Sequence, residues 1–284
     1  MKTTSADATI NTQPRAPEPA KTGTGTRVID LGDSVTIGGL RVAIMAGPCA
    51  IETVDQLQAV ADSVKKTGAS ILRGGVYKMR TAPQSFQGLG EKAFKMAADI
   101  CRKTGLKFVT EAVDEQSLDL VDQHADMIQI GTRNMHNSAL LKRAGKCKKP
   151  VLLKRGFSAT IEEFLLAADY ILQGGNTRVI LCERGIRTFN TYSRYTLDLN
   201  LVPALRERTP LPVMVDVSHG TGKRTMVPPM ALAAIACGAD GVMMEVHHAP
   251  DEALSDGAQS LAIEDFETLV PRMRSVAEAI GRTL

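Results

Sequence analysis

The chain has 284 residues and a formal net charge of +3, with 4% aromatic residues and no Trp. This balance lacks the basic, aromatic surface with which proteins bind nucleic acids. The longest near-apolar stretch, 227–239, has 13 residues, fewer than the roughly 20 that a membrane-spanning helix needs. The five cysteines are odd in number and irregularly spaced, which predicts free thiols and a cytoplasmic location. We therefore expect neither a nucleic acid nor a membrane as a partner.

The chain begins with a segment that differs in composition from the rest. Residues 1–26 are rich in Thr, Ala, Pro and Lys and show no apolar periodicity, which predicts a disordered tail. Residues 27–31 and 34–37 flank the turn residues Gly32 and Asp33, a pattern typical of a short hairpin. We expect residues 27–284 to form one domain that starts with this hairpin.

Short apolar runs alternate with longer amphipathic segments from residue 41 onward. The eight runs are 42–45, 70–72, 107–110, 127–130, 151–153, 179–181, 213–215 and 241–245. Helical periodicity marks segments such as 54–66, 91–103, 161–172, 229–237 and 263–280. Apolar strands that alternate with helices indicate a parallel sheet, and eight such units predict a closed (β/α)8 barrel, the TIM-barrel fold. The alternative, an open doubly wound sheet, usually has a glycine-rich loop after its first strand; this chain has Ala46-Gly47-Pro48-Cys49 there.

Cationic side chains follow many of the predicted strands. In (β/α)8 barrels the carboxyl ends of the strands share one face, so these side chains should line one pocket: Arg73, Lys78, Arg80, Arg133, Lys154 and Arg184. One such residue alone would be interpreted as a solvated charge, but six together repel one another unless an anion lies between them. Two phosphates and a carboxylate would balance them, and arginine forks fit such groups.

A second set of strand-end residues could hold a metal. Cys49, His219, Glu245 and Asp256 offer sulfur, nitrogen and oxygen ligands, a mixed set that suits Mn, Fe, Co or Zn better than Mg or Ca. No short spacing ties these residues together, so the pattern alone is weak. His247 and His248 are rival ligands, and only His247 would share the face of Glu245 in a strand.

Ordered motifs along the predicted barrel resemble a known family. They are AGPCAIE at 46–52, LRGGVYKMRTAPQSFQGLG at 72–90, QIGTRNMHN at 129–137, PVLLKRG at 150–156, ILCERGIRTF at 180–189, VDVSHGTGKR at 215–224, MMEVH at 243–247 and EALSDG at 252–257. The chain resembles the short, barrel-only branch of the 3-deoxy-D-arabino-heptulosonate 7-phosphate (DAHP) synthases, whose superfamily includes the 3-deoxy-D-manno-octulosonate 8-phosphate synthases. The resemblance covers about residues 35–261.

This resemblance assigns roles to the same side chains. It implies that a divalent metal binds Cys49, His219, Glu245 and Asp256. It implies that phosphoenolpyruvate binds Arg73, Lys78, Arg133, Lys154 and Arg184. Arg80 and Thr81 would receive the phosphate of the aldose. The implied catalytic residues are Cys49, His219 and Lys78, with Lys78 as general acid or proton relay, and no organic cofactor is required.

The chain departs from the family at residues 78–82, which include Arg80 and Thr81 and which we call the acceptor segment. Family members usually read Lys-Pro-Arg-Thr-Ser there, whereas this chain has Met79 and Ala82 at the second and fifth positions. In addition, Val217 and His248 replace prolines of two other motifs. No departure removes an implied ligand. The octulosonate branch has one residue more in the acceptor segment, so the shorter spacing here favours erythrose 4-phosphate as the acceptor.

The resemblance therefore implies an aldol-type condensation of phosphoenolpyruvate with erythrose 4-phosphate and water, which gives DAHP and phosphate in the shikimate pathway. It also implies a homo-oligomer, a dimer or a tetramer. One alternative is the same chemistry on another phosphorylated aldose. Another is a catalytically idle barrel that acts as a binding partner. The presence of all the implied site residues argues against this alternative. Because one domain is predicted, we expect no feedback inhibition of the chain alone by aromatic amino acids.

Overall fold

Eight parallel strands close into a barrel in the computed structural model, which describes residues 25–284. The barrel strands are β3 (Ala43–Gly47), β4 (Ile71–Arg73), β5 (Lys107–Ala112), β6 (Met127–Ile130), β7 (Val151–Lys154), β8 (Val179–Glu183), β9 (Val213–Asp216) and β10 (Gly241–Glu245). Each pairs with the next in sequence, and β10 closes on β3. The predicted (β/α)8 barrel is confirmed, and the open sheet is excluded.

Helices connect the strands, as the amphipathic segments predicted. They are α1 (Val54–Lys66), α2 (Glu91–Thr104), α3 (Glu115–His124), α4 (Ser138–Ala144), α5 (Ile161–Gln173), α6 (Leu201–Arg206), α7 (Val217–Thr221), α8 (Val227–Ala236) and α9 (Ile263–Ala279). Side-chain caps fix several of their starts. Thr53 accepts the backbone N–H of Gln56, and Thr160 forms a capping box with Glu163, which satisfies amide groups that the first turn leaves free.

The predicted hairpin is also present and closes the amino end of the barrel. Its strands, β1 (Ile29–Asp30) and β2 (Thr36–Ile37), pair antiparallel. Side chains of both strands belong to the apolar cluster of the barrel interior, which includes Met45, Met127 and Met243. A separate and larger apolar layer lies between the strands and the helices. The open end of the barrel is therefore the carboxyl end, where the predicted site residues lie.

The first barrel strand ends two residues beyond the predicted apolar run at 42–45. β3 ends at Gly47, and Cys49 lies on the following loop. Gly47 has a φ of 156°, and a Cβ atom there would lie 1.9 Å from the carbonyl oxygen of Arg73. Glycine is thus required where this loop crosses the end of β4, and that close approach brings Cys49 towards the barrel axis.

The predicted tail lies outside the described residues except for residues 25 and 26. Thr26 is buried, and its hydroxyl donates to Asp240 Oδ1 at 3.3 Å. Thr26, which the sequence assigned to the tail, is therefore packed against the barrel. Within residues 25–284, none of the helices combines the length and apolarity needed to cross a membrane.

Candidate active site

A cavity of about 290 Å³ opens at the carboxyl end of the barrel. All of the predicted substrate-binding side chains line it: Arg73, Lys78, Arg80, Thr81, Arg133, Lys154 and Arg184. They come from the ends of β4, β6, β7 and β8 and from the loops that follow. The barrel thus brings together cations that are far apart in sequence, as the strand-end pattern predicted.

Beside the cationic wall, four side chains with metal-binding atoms meet. One donor atom from each of Cys49, His219, Glu245 and Asp256 lies within 4.8 Å of the other three. Cys49 Sγ lies 3.0 Å from Asp256 Oδ2, and His219 Nε2 lies 3.4 Å from Glu245 Oε1. These four residues, which we call the donor cluster, are the ones that the sequence singled out.

Lys78 connects the cavity to the donor cluster. Its Nζ donates to Cys49 Sγ at 2.9 Å. Burial and the nearby carboxylate of Glu245 raise the pKa of Cys49 to about 12. Burial works against the ammonium of Lys78, but Cys49 and Glu245 outweigh it, and the pKa of Lys78 is raised. At neutral pH the lysine is charged and the cysteine is a thiol, which donates to Asp256 Oδ2.

Asp216 sets the orientation of His219. Its Oδ2 lies 2.8 Å from His219 Nδ1, and its Oδ1 accepts the backbone N–H of His219 at 3.0 Å. Burial lowers the pKa of His219, so the ring is neutral at pH 7. The contact with the carboxylate assigns the proton to Nδ1, which leaves the lone pair of Nε2 facing the donor cluster.

The same carboxylate holds Lys154, whose Nζ donates to Asp216 Oδ2. Burial alone would raise the pKa of Asp216, but His219 and Lys154 outweigh it and hold this pKa well below its usual range. Asp216 was not among the predicted site residues. Its position three residues before His219 was the available signal, because that spacing in the turn of α7 places the carboxylate beside the imidazole.

Arg73 links the cavity to Glu245. Its NH1 donates to Glu245 Oε1 at 3.0 Å and to the carbonyl oxygen of Pro48 at 2.7 Å. Burial would raise the pKa of Glu245, but His219 and Arg73 outweigh it, so that pKa is lowered. The carboxylate is therefore ionised at neutral pH and available to a cation.

Aromatic rings lie against two of the arginines of the cavity wall. The guanidinium carbon of Arg184 lies 4.1 Å from the ring centroid of Tyr195, and that of Arg133 lies 5.7 Å from the ring centroid of Phe157. Within residues 25–284, Arg184 Nε and Arg80 NH1 are buried nitrogens that have no hydrogen-bond partner. Buried donors of this kind require acceptor oxygens, which a bound phosphate would supply.

The rival histidine ligands lie outside the donor cluster. His247 contacts its own loop and Glu52 instead, because its Nδ1 accepts the N–H of Ala249 at 3.0 Å and its Nε2 lies 3.5 Å from Glu52 Oε2. His248 is exposed and stacks on His247. Strand parity does not apply to His247, because β10 ends at Glu245 and His247 lies in the loop that follows.

Other residues of the cavity wall were not predicted to belong to the site. They include Glu111, Gln129, Phe157, Arg194 and Tyr195. Glu111 reaches the cavity because residue 131 is glycine, where a Cβ atom would lie 1.9 Å from Glu111 Oε1. Arg194 and Tyr195 lie on the long loop between β8 and α6, where no periodicity or motif indicated that they fold back over the site.

Comparisons with known proteins show which family the chain is similar to. The model of the DAHP synthetase I family matches residues 20–282. A phospho-2-dehydro-3-deoxyheptonate aldolase of Thermotoga maritima is 52% identical over 89% of this chain and 75% of that protein. A crystal structure of this DAHP synthase matches with a TM-score of 0.88 over 91% of this chain and 75% of that chain. A 2-dehydro-3-deoxyphosphooctonate aldolase of Nitrobacter hamburgensis is 33% identical over 84% of this chain and 90% of that protein.

A (β/α)8 barrel that joins a cationic cavity to a sulfur, nitrogen and oxygen donor cluster defines a class of enzymes that act on anionic substrates. The family match extends over nearly all of the described residues. The chain belongs to the DAHP synthetase I family, and the resemblance found in its motifs is confirmed.

We predict that Asp216→Asn lowers the free energy of unfolding by about 3–5 kcal/mol, because it leaves Lys154 buried without its counter-charge. Folding lowers the pKa of Asp216, so its carboxylate stabilises the protein at every pH above the pKa that Asp216 has in the unfolded chain. This stabilisation is lost only as the pH falls through the lower pKa that Asp216 has in the folded protein. The loss should therefore be constant between about pH 5 and pH 8. Urea denaturation across this range measures it.

Asp198→Asn is the matched control. Arg155 bonds to both Asp198 and Glu183, so this cation keeps one partner and the loss should be smaller. Equal losses for the two variants would contradict the role given to Asp216.

Proposed function

We propose that the chain is a metal-dependent 3-deoxy-7-phosphoheptulonate synthase, which condenses phosphoenolpyruvate with erythrose 4-phosphate and water. The observation that carries this proposal is the position of Lys78, which lines the cationic cavity and contacts Cys49 of the donor cluster at 2.9 Å. Anionic substrates and a metal would meet at this lysine. The reaction is supported by the name of the 52% identical T. maritima relative, phospho-2-dehydro-3-deoxyheptonate aldolase.

Phosphoenolpyruvate would bind in the part of the cavity that is lined by Arg73, Lys78, Arg133, Lys154 and Arg184. Lys154 is held by Asp216, and Arg184 is stacked on Tyr195, so both cations are ordered before substrate arrives. A carboxylate and a phosphate would balance this wall. Cations held in this way align the substrate and stabilise the charge on the departing phosphate.

The donor cluster fits a divalent transition metal. Its thiol, its neutral imidazole and its two ionised carboxylates have donor atoms within 4.8 Å of one another, and the set favours Mn, Fe, Co or Zn. Cys49 would lose its proton on binding, and Asp256 Oδ2 already accepts that proton in a hydrogen bond of 3.0 Å. When bound, the metal supplies a Lewis acid for the aldehyde oxygen of the acceptor.

In the proposed reaction a bond forms between C3 of phosphoenolpyruvate and the aldehyde carbon of the acceptor. The oxygen of water bonds to C2, which becomes the ketone carbon, and the bond from C2 to the phosphate oxygen breaks, which releases phosphate. Of the two protons of this water, one leaves with the phosphate and the other replaces the proton that the former aldehyde oxygen takes up. The former aldehyde oxygen gains a proton. Lys78 Nζ is the proton donor that we assign, because it is an ammonium that lies between the cavity and the donor cluster.

The acceptor phosphate would bind beside Arg80 and Thr81. Both residues line the cavity, and Arg133 NH2 lies 3.5 Å from Thr81 Oγ1. The buried NH1 of Arg80 would find an acceptor oxygen on the phosphate. We propose erythrose 4-phosphate as the acceptor because the acceptor segment has the shorter heptulosonate spacing.

Three further predictions from the sequence are consistent with this function and stay predictions. Residues 27–284 would form the single catalytic barrel, preceded by a tail at 1–26. The protein would act as a homo-oligomer and would be cytoplasmic.

We predict that the purified protein releases phosphate from phosphoenolpyruvate fastest with erythrose 4-phosphate. Phosphate release should be measured with erythrose 4-phosphate, arabinose 5-phosphate and ribose 5-phosphate, each with Mn²⁺, Co²⁺ and Zn²⁺. A higher kcat/KM with arabinose 5-phosphate would select octulosonate chemistry instead. Lack of turnover with every aldose and every metal would support the idle barrel.

We predict that exhaustive chelation abolishes activity and that Mn²⁺ restores it. Cys49→Ser and His219→Ala should be folded but inactive. Because the pKa of Cys49 is raised to about 12 and His219 is neutral, metal binding at pH 7 should release about one proton. Calorimetric titration with the metal, in buffers of different ionisation enthalpy, measures the number of protons released.

Cys101→Ser is the control for loss of a thiol, since Cys101 lies on α2, away from the donor cluster. This variant should retain activity and release the same proton. Full activity of the chelated wild type would rule out the metal requirement.

The last prediction for this site concerns Met79. Asn134 Nδ2 lies 3.5 Å from Met79 Sδ, and within residues 25–284 the N–H of Met79 makes no backbone hydrogen bond. A proline there would stiffen the segment between Lys78 and Arg80 without breaking such a bond. Met79→Pro should lower the KM for erythrose 4-phosphate about two- to fivefold, or narrow the acceptor range, with little change for phosphoenolpyruvate.

Met79→Leu is the matched control, because it removes the sulfur contact without fixing φ, and its kinetics should match the wild type. Identical acceptor kinetics for Met79→Pro and wild type would show that the substitution is neutral. Loss of activity in the proline variant would instead implicate Met79 in recognising a different acceptor.

A further inference from the structure

The two carboxylates of the donor cluster each turn one oxygen inwards and one outwards. Asp256 Oδ2 lies 3.0 Å from Cys49 Sγ, and Glu245 Oε1 lies 3.4 Å from His219 Nε2. The other oxygen of each carboxylate accepts a hydrogen bond from outside the cluster. Asp256 Oδ1 accepts from Arg194 at 3.1 Å, and Glu245 Oε2 accepts from Gln259 at 2.6 Å.

Arg194 and Gln259 form one connected unit. The NH1 of Arg194 also donates to Gln259 Oε1 at 3.0 Å. This bond fixes the side-chain amide of Gln259, because its oxygen faces the arginine and its nitrogen must then face Glu245. Gln259 is 2% exposed, so water does not compete for either group. A continuous chain of hydrogen bonds therefore runs from Glu245 through Gln259 and Arg194 to Asp256.

Two separate loops provide this unit, and both are fixed locally. Gln259 follows Asp256 in a short turn, where its N–H donates to the carbonyl oxygen of Asp256 at 3.2 Å. Arg194 belongs to the loop between β8 and α6, and its N–H donates to the carbonyl oxygen of Thr221 at 3.0 Å. Residue 222 is glycine, with a φ of 69°, and a Cβ atom there would lie 2.3 Å from the Cβ of Arg194.

We infer that Arg194 and Gln259 are positioning residues for the metal centre. They hold the outer oxygens of Asp256 and Glu245, so that each carboxylate presents a single oxygen to the metal. This inference rests on the proposed metal site and goes beyond it, because it assigns the geometry of two ligands to residues outside the donor cluster.

The charge of Arg194 and its hydrogen bonds would change the affinity for a metal in opposite directions. If its charge alone mattered, removing this cation from beside the site would strengthen metal binding, because like charges repel. If its hydrogen bonds matter, removal frees the outer oxygen of Asp256 and releases Gln259, and metal binding weakens. Loss of such outer partners typically lowers metal affinity ~10–100-fold, so the two effects can be separated by their sign.

The test is titration of the metal-free protein with Co²⁺, followed by its thiolate charge-transfer absorption and by calorimetry. We expect Arg194→Met and Gln259→Met to weaken Co²⁺ binding ~10–100-fold. Arg194→Lys keeps the charge and should restore part of the affinity. The double variant Arg194→Met/Gln259→Met should lose less than the two single losses added, because the two residues act as one unit.

Arg187→Met is the matched control, since it removes a positive charge from the same loop. Arg187 stacks on Phe157, with its guanidinium carbon 4.6 Å from the ring centroid, and its loss should leave Co²⁺ affinity unchanged. Circular dichroism and thermal unfolding show whether each variant is folded.

Wild-type protein that binds no Co²⁺ would overturn the proposed metal site, and the positioning role with it. Wild-type protein that binds Co²⁺, with Arg194→Met and Gln259→Met binding equally well or more tightly, would overturn the positioning role alone. Weaker binding by both variants, with Arg187→Met unchanged, supports the inference.

Discussion

The buried carboxylate of Asp216 is the contact on which the rest of the site depends. It accepts hydrogen bonds from Lys154 and from both the ring and the backbone of His219. Removing a carboxylate from water costs several kcal/mol, which only close and well-directed partners offset. Lys154 lines the cationic cavity, and His219 belongs to the donor cluster. Asp216, at the end of β9, therefore fixes one side chain of each.

The two halves of the site balance each other in charge. Arg73 bonds to Glu245, Lys154 to Asp216, and Arg194 to Asp256, so cations of the cavity wall lie against carboxylates of the donor cluster and its surroundings. In the proposed enzyme a divalent metal would neutralise the carboxylates of the cluster, and anionic substrates would neutralise the wall. The boundary between the halves is then the natural place for bond formation, and Lys78 lies there.

The fold was predictable from sequence because continuous apolar runs and helical periodicity determine it locally. Strand ends were less predictable, since Gly47 ends β3 through a close contact with Arg73 that exists only in the folded barrel. The cationic wall was predictable because a closed barrel brings all strand ends to one face. The donor cluster also required the resemblance of the ordered motifs, because no short spacing ties its four residues together. The positions of Arg194 and Gln259 were not predictable from the sequence. Both residues lie on irregular loops that meet over the site, and such loops have no periodic sequence pattern.

In the proposed enzyme, one cavity holds an anion and a metal on opposite sides of Lys78. Anomalous diffraction from crystals grown with Mn²⁺ and phosphoenolpyruvate would locate both. We expect one strong manganese peak that is bonded to Cys49, His219, Glu245 and Asp256, with the phosphate of phosphoenolpyruvate against the cationic wall. A manganese peak away from these four side chains, or phosphoenolpyruvate bound outside the cavity, would contradict it.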